Sequence, residues 1–231
     1  ANGAGSSNTS GTITSTVSVN ATAGFSVVTY TGTGANATVG HGLGVAPKMI
    51  ICKNRTDVIS WLIYHSSLGA TKYLEFNTSA AVTATPAWNN TEPTSSLFTV
   101  GTYTNNNGSG KAIVAYCWAE ISGYSKAFSY TGNGSTDGPF IFANLKPRFI
   151  MIKRSDTTSN WTILDTAREG YNVDNDPLYP NLSDAEGTTD LADILSNGFK
   201  LRSTDASVNA NAGTYIGMAF SSNPFKNSTA V

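Results

Sequence analysis

The sequence predicts an all-β protein: two tandem, related antiparallel β-sandwich (jelly-roll-like) repeats with one or two short helices. Three observations predict it. The first is an internal repeat, in which "PKMIICKN" at 47–54 returns as "PRFIMIKR" at 147–154, and Trp61 in "SWLIYHS" returns as Trp161 in "NWTILDT". "YTGTG" at 30–34 returns as "YTGNG" at 130–134, and "FTVG" and "VAYCWAE" find their counterparts in "FKLR" and "IGMAFSS". A proline, a basic residue, an apolar strand and a tryptophan in one order, twice, mark a duplication. The second is strand chemistry: "FSVVTY", "LFTVGTY" and "AIVAYCW" are rich in the β-branched and aromatic residues that suit a pleated surface. The third is punctuation, since Asn, Gly and Ser clusters such as "NNNGSG" and "NGSTDG" separate these runs and supply turn conformations.

At the start of the chain, residues 1–22 are small, polar and glycine-bearing. They carry too little apolar surface for a core of their own, and read either as a flexible linker or as an extended arm that gains order against a neighbouring domain or subunit. The first repeat spans 23–121 and the second 122–231. "KMIIC" and "RFIMI" are short apolar runs flanked by Lys or Arg, as a central strand emerging into solvent at both ends would be. Helix is expected in "TTDLADILSNGF", with Thr189 as N-cap, Leu191, Ile194 and Leu195 as the apolar face and Gly198 as C-cap. A second short helix is expected from Ser67.

Composition limits function. Lys and Arg number 14, Asp and Glu 15, for a net charge of −1, and only 13% of residues are charged, about half the usual share. There is no basic footprint to exchange for the counterions of a phosphate backbone, so no nucleic-acid partner is expected. No stretch approaches the roughly 18 apolar residues of a membrane helix, and membrane insertion is not expected. Without a signal peptide or an initial Met, the chain reads as a piece of something longer. Cys52 and Cys117 lie in apolar runs and read as two buried thiols, with a disulfide between adjacent strands as the alternative. No CxxC or nearby histidine accompanies them, so neither a metal nor another cofactor is expected.

Catalytic motifs are missing. "HGLG" at 41–44 has no G-x-S-x-G nucleophile elbow to serve, and "GSGK" at 108–111 lacks the spacing of a phosphate-binding loop. His41 and His65 have no i, i+4 partner and read as structural. The acids at 174, 176, 184, 186, 190 and 193 could supply a glycosidase pair, but a polar loop and a helix N-terminus explain them as well. Trp61 and Trp161 occupy equivalent positions and read as core.

Recognition is expected where the repeats differ, in loops at one end of the sandwich. Trp88 stands in "TATPAWNNTEPT", a loop with no counterpart, beside Asn89 and Asn90. An aromatic face flanked by amides suits a sugar ring. The loop at 170–190 offers Tyr171, Asp174, Asp176 and Tyr179 in the same way. Each of these rings could instead be a lid over the sandwich.

The strings "FSVVTYTGTG", "VGHGLGVAPKMIICKNR" and "WLIYHSSLGATKYLEFN", together with "FSYTGNGSTDGPFIF", "NWTILDTARE" and "GTYIGMAFSSNPFK" in the second repeat, resemble a repeat domain of bacteriophage tail-fibre and related virion proteins, of the type found in marine and cyanobacterial phages. The resemblance covers about residues 11–227. It implies a virion appendage on the particle exterior, homotrimeric, in contact with other virion proteins and contributing to host attachment through a surface glycan or protein. It brings no catalytic residues, and the chain is expected not to be an enzyme. The alternatives are a structural spacer or capsid decoration without a ligand, and a polysaccharide depolymerase.

Overall fold

In the first repeat, strands arise where apolar and polar residues alternate or where short apolar runs meet glycine turns. The computed structural model describes residues 3–78, 80, 81, 83–168, 172 and 176–221. Its strands are β1 (Ser6–Asn8), β2 (Ser15–Asn20), β3 (Phe25–Thr31), β4 (Ala37–Gly40), β5 (Met49–Asn54), β6 (Leu62–His65), β7 (Lys72–Glu75), β8 (Thr83–Ala84), β9 (Leu97–Val100) and β10 (Ala112–Trp118). A 3-10 helix covers Pro86–Trp88 and a single helical turn, α1, covers Thr104–Asn107. The second repeat contributes β11 (Ser125–Thr131), β12 (Phe140–Phe142), β13 (Pro147–Arg154), β14 (Trp161–Asp165), β15 (Ala192–Leu195), β16 (Gly198–Leu201), α2 (Ala206–Asn209) and β17 (Thr214–Ser221). The chain divides into two units, Ala1–Phe76 with Val82–Glu120, and Asn77–Ala81 with Ile121–Val231.

The duplication is visible in the topology. The large sheet of the first unit has the order β1-β2-β3-β10-β5-β6-β7-β8, and that of the second β11-β17-β13-β14. The inner order β3-β10-β5-β6 is therefore repeated strand for strand, all antiparallel. The facing layer is β4-β9 in the first unit and β12-β16-β15 in the second.

Each unit has its own core between the two layers. In the first, Val28, Ile50, Cys52, Leu62, Tyr64, Ile113 and Cys117 from the large sheet pack with Val39, Phe98 and Val100. In the second, Phe128, Ile150, Ile152, Leu164 and Ala219 pack with Ile141, Phe199 and Leu201. Interleaving of the inward faces of two sheets is the ordinary construction of a sandwich.

Four local expectations change. The stretch at 189–198 is not a helix but the hairpin β15–β16, with Ala192 and Ile194 buried and Asp193 and Leu195 partly exposed. Gly198 is no C-cap: it lies opposite Phe142, where a Cβ would stand 2.1 Å from the Ile141 carbonyl oxygen. The segment from Ser67 is a turn closed on the His65 carbonyl and leading into β7. The first 22 residues contain an arm bound to their own unit. β2 pairs with β3, Ile13 and Val17 enter the core, and Ile13 N–H donates to the Thr38 carbonyl at 3.0 Å. The alternation S-T-V-S-V makes this possible, because every second residue can be covered. One expectation holds beside these: Cys52 and Cys117 are free, buried thiols, opposite Ala115 and Ile50 respectively.

Candidate functional site

The repeated "YTGxG" string builds the best-defined polar centre of each unit. The Tyr30 hydroxyl donates to the Asn106 carbonyl at 2.6 Å, and the Tyr130 hydroxyl to the Val208 carbonyl at 2.7 Å. Gly34 and Gly134 adopt φ of 72° and 66° and donate to the carbonyls of Asn107 and Asn209. A Cβ on Gly32 would meet the Gly108 oxygen at 2.3 Å, and one on Gly132 the Ala210 oxygen at 2.3 Å, so both positions need glycine.

Asn107 and Asn209 are fully buried and complete the clasp. The Asn107 Oδ1 accepts from Thr33 N–H at 2.8 Å, and its Nδ2 donates to Ala35 and Gly101 at 2.7 and 2.6 Å. The Asn209 Oδ1 accepts from Asn133 N–H at 2.9 Å, and its Nδ2 donates to Ser135 and Ser203, each at 2.8 Å. A buried amide with its partners made is a structural fastener. Both amides are engaged by the protein's own backbone.

The loop residues fall into two groups. Trp88 is only 2% exposed and sits in the first core, edge-on to Tyr64 at a ring separation of 5.8 Å. The expected sugar-stacking platform is thereby corrected to a lid on the core, because a ring with no free face cannot stack on a sugar. Asn89 and Asn90 end the 3-10 helix in left-handed conformation, with φ of 49° and 50°, and Asn90 is exposed. Glu92 pins the chain beyond them: it accepts from Ala70 N–H at 2.7 Å and from the Tyr64 hydroxyl, whose pKa is raised by burial and by that carboxylate.

In the second unit, Asp176 and Tyr179 are half-buried and flank Leu178, which exchanges backbone hydrogen bonds with Ile163 at 3.0 and 2.8 Å. Burial and the fields of Asp205 and Asp184 raise the Tyr179 pKa. Tyr171 and Asp174 lie outside the described residues. Two of the other acids are engaged, Glu186 with Arg168 and Asp193 with the Arg202 Nε at 2.6 Å. Among the described residues, no group of three or more His, Cys, Asp and Glu side chains could hold a metal ion, and no helix is long and apolar enough to cross a membrane.

The remaining motif residues are structural by geometry. His41 is buried, with Nε2 3.1 Å from the Thr94 carbonyl and Nδ1 accepting from Leu43 N–H at 3.2 Å. Desolvation lowers its pKa. His65 is buried and its Nδ1 accepts from Ser67 N–H at 3.2 Å. Trp161 is fully buried, but its equivalent Trp61 is only half-buried, which corrects the expectation that both are core. Trp61 stacks on Tyr116 at 6.4 Å with the Lys53 ammonium 5.9 Å from its ring centre. Tyr116 meets Trp118, and Trp118 meets Phe25 at 5.1 Å. This row of part-exposed rings was legible as the alternation of Tyr116 and Trp118 in "AYCWA", but a reading based on loops passes over it.

Fold and site together define an all-β protein of two duplicated sandwiches, whose repeated residues are fasteners and whose differences lie in the connections. The chain belongs to the family described as "Domain of unknown function (DUF7483)", whose model matches residues 1–224 and so spans both repeats. No curated protein and no solved structure matches it.

Proposed function

We propose that this chain is a segment of a bacteriophage virion fibre, exposed on the particle exterior, self-associating with three-fold symmetry and contributing to attachment to a host-surface glycan or protein without catalysis. The observation that carries the reading is the tandem duplication itself. Both copies keep the clasp of Tyr30 and Asn107 or Tyr130 and Asn209, and the same four-strand order, while their loops diverge. Divergent loops on a repeated, fastened sandwich vary what each copy touches. A surface poor in charge and rich in Ser, Thr, Asn and Gly agrees with an extracellular particle.

The loop at 170–190, with Asp176 and Tyr179, remains the proposed contact. A glycan array on the chain, paired with its ability to block phage adsorption to host cells, tests the reading. Binding lost in Tyr179→Ala, with folding kept, supports it. The absence of both glycan binding and adsorption blocking would overturn the attachment role. The burial of Trp88 favours one second reading, a spacer or capsid decoration without a ligand, because it removes the strongest sugar platform from the first unit.

A further inference from the structure

Sheet edges expose unpaired backbone groups and are normally covered or blunted. Three edges in this protein obey that rule. The outer edge of β4 is taken by the arm: Ile13 N–H donates to the Thr38 carbonyl at 3.0 Å, and the Thr12 and Thr38 hydroxyls each accept from the other's N–H at 2.9 Å. The outer edge of β15 is closed by one side chain. The Asn172 amide donates to the Ile194 carbonyl and accepts from its N–H, both at 2.9 Å, as a neighbouring strand would. The edge of β14 is covered by Leu178, and by Asn181, whose Oδ1 accepts from Trp161 N–H at 2.9 Å.

The edge of β12 is different. Among the described residues β12 pairs with β16 alone. The Pro139 carbonyl accepts from Leu201 N–H, and Ala143 N–H donates to the Asn197 carbonyl. The alternating ladder therefore turns residues 139, 141 and 143 toward β16, and the backbone groups of Phe140 and Phe142 outward. Their rings are 44% and 57% exposed, while Ile141 between them is 4% exposed and in the core.

The duplication gives this edge a direct comparison. Val39 pairs with Phe98 as Ile141 pairs with Phe199, so Thr38 corresponds to Phe140 and Gly40 to Phe142. Where the arm covers the edge, the outward residues are small, and a Cβ on Gly40 would stand 2.1 Å from the Asn8 Oδ1. Where no arm is described, they are two phenylalanines.

We propose that β12 is a self-pairing edge, at which a second copy of this chain adds its own β12 antiparallel about Ile141, joining two three-stranded sheets into one. The string Phe140-Ile141-Phe142 reads the same in both directions. A two-fold axis through Ile141 sets each Phe140 opposite the second copy's Phe142, and both residues direct hydrogen-bonding groups across the axis. That makes two hydrogen-bonded residue pairs, about four backbone bonds in all, with two cross-strand ring pairs beside them. No charged side chain lies on β12, so no like charges meet. The strand has three residues, and Asn144, at φ 55°, ends the extended run. The buried area therefore falls below the ~1,000 Å² of a stable free complex, and the contact works where copies are already concentrated. It is two-fold and does not rest on the proposed attachment role.

Cysteine cross-linking of the full chain tests the register. In the proposed pairing, residue 140 of one copy and residue 142 of the other lie about 5.5 Å apart between Cα atoms, within disulfide range, whereas 140 and 140 do not. Mixing Phe140→Cys chains with Phe142→Cys chains under mild oxidation should give at least fivefold more dimer than either alone. The wild type, with Cys52 and Cys117 fully buried, should give none. Equal cross-linking in the single-variant samples, or none in the mixture, overturns the register. Sedimentation of the wild type at millimolar concentration should show pairwise association of its particles, single chains or trimers alike, that Phe142→Lys abolishes at unchanged melting temperature. Wild type that shows no such association, or a lysine variant that associates equally, overturns the interface.

Discussion

The two units solve one packing problem with different segments. Beside β9 in the first unit, Gly101 N–H donates to the Ala87 carbonyl at 2.8 Å. Beside β16 in the second, Arg202 N–H donates to the Leu191 carbonyl at the same distance. Ala87 and Leu191 thus hold corresponding places. In the second unit the chain runs on as β15 and buries Ala192 and Ile194. In the first it coils into the 3-10 helix and inserts Trp88, then turns away through left-handed Asn89 and Asn90. Asn106 donates to the Ala87 carbonyl at 2.8 Å to hold that helix, and the corresponding Val208 has no such duty. On Gly101 a Cβ would meet the Pro86 oxygen at 2.0 Å, so the glycine belongs to the tryptophan plug. A duplicated sandwich can exchange a strand for a plug as long as the clasp and the central strands stay.

The comparison breaks most readily at Trp88. Trp88→Ala should cost the first unit about 3–5 kcal/mol, the usual loss for a large buried ring, in denaturant unfolding. A change below 1 kcal/mol would show that the ring is not a core element. Next come the clasps. Asn107→Ala and Asn209→Ala should each cost about 3 kcal/mol, since each strands several buried partners. A large effect in one unit with none in the other would end the claim that the clasps are equivalent.

The alkaline limb should separate the units. Burial pushes the Cys52 thiol from 9.0 up to about 12, and raises Cys117 as well. The unfolded chain then releases these protons first, so the first unit loses stability as pH rises above 9. Lys153 in the second unit is lowered from 10.5 to about 8, chiefly by desolvation. The unfolded chain binds that proton more tightly, so Lys153 adds stability as pH rises from about 8. Cys52→Ala should flatten the alkaline decline of the first unit, and melting curves from pH 8 to 10 provide the check. The smallest effect is on the acid side. His41 has a lowered pKa, so its neutral form favours the fold above 6.5, and stability is lost as pH falls below that value. His41→Gln should reduce that slope.

Much of this was written along the chain. The repeat spacing marked the duplication, and the β-branched and aromatic runs located the central strands. The signal failed where a pattern fits two periods. Leu191, Ile194 and Leu195 suit a helix face, yet Ala192 and Ile194 also alternate as a strand, and the strand won because β16 offered it a hydrogen-bonded edge. Trp88, read from its loop context, was expected to meet a ligand. Its ring partner Tyr64 is distant in sequence and became visible only after folding.

By itself, then, the sequence determined the class, the duplication and the glycine positions of the clasp, because these depend on local backbone preference and on repetition. Tertiary structure decided the arm's place on β3 and β4, the burial of Trp88 and the open edge of β12. Each of those depends on whether another segment arrives to cover a surface, and coverage is a property of three-dimensional packing that no local pattern encodes.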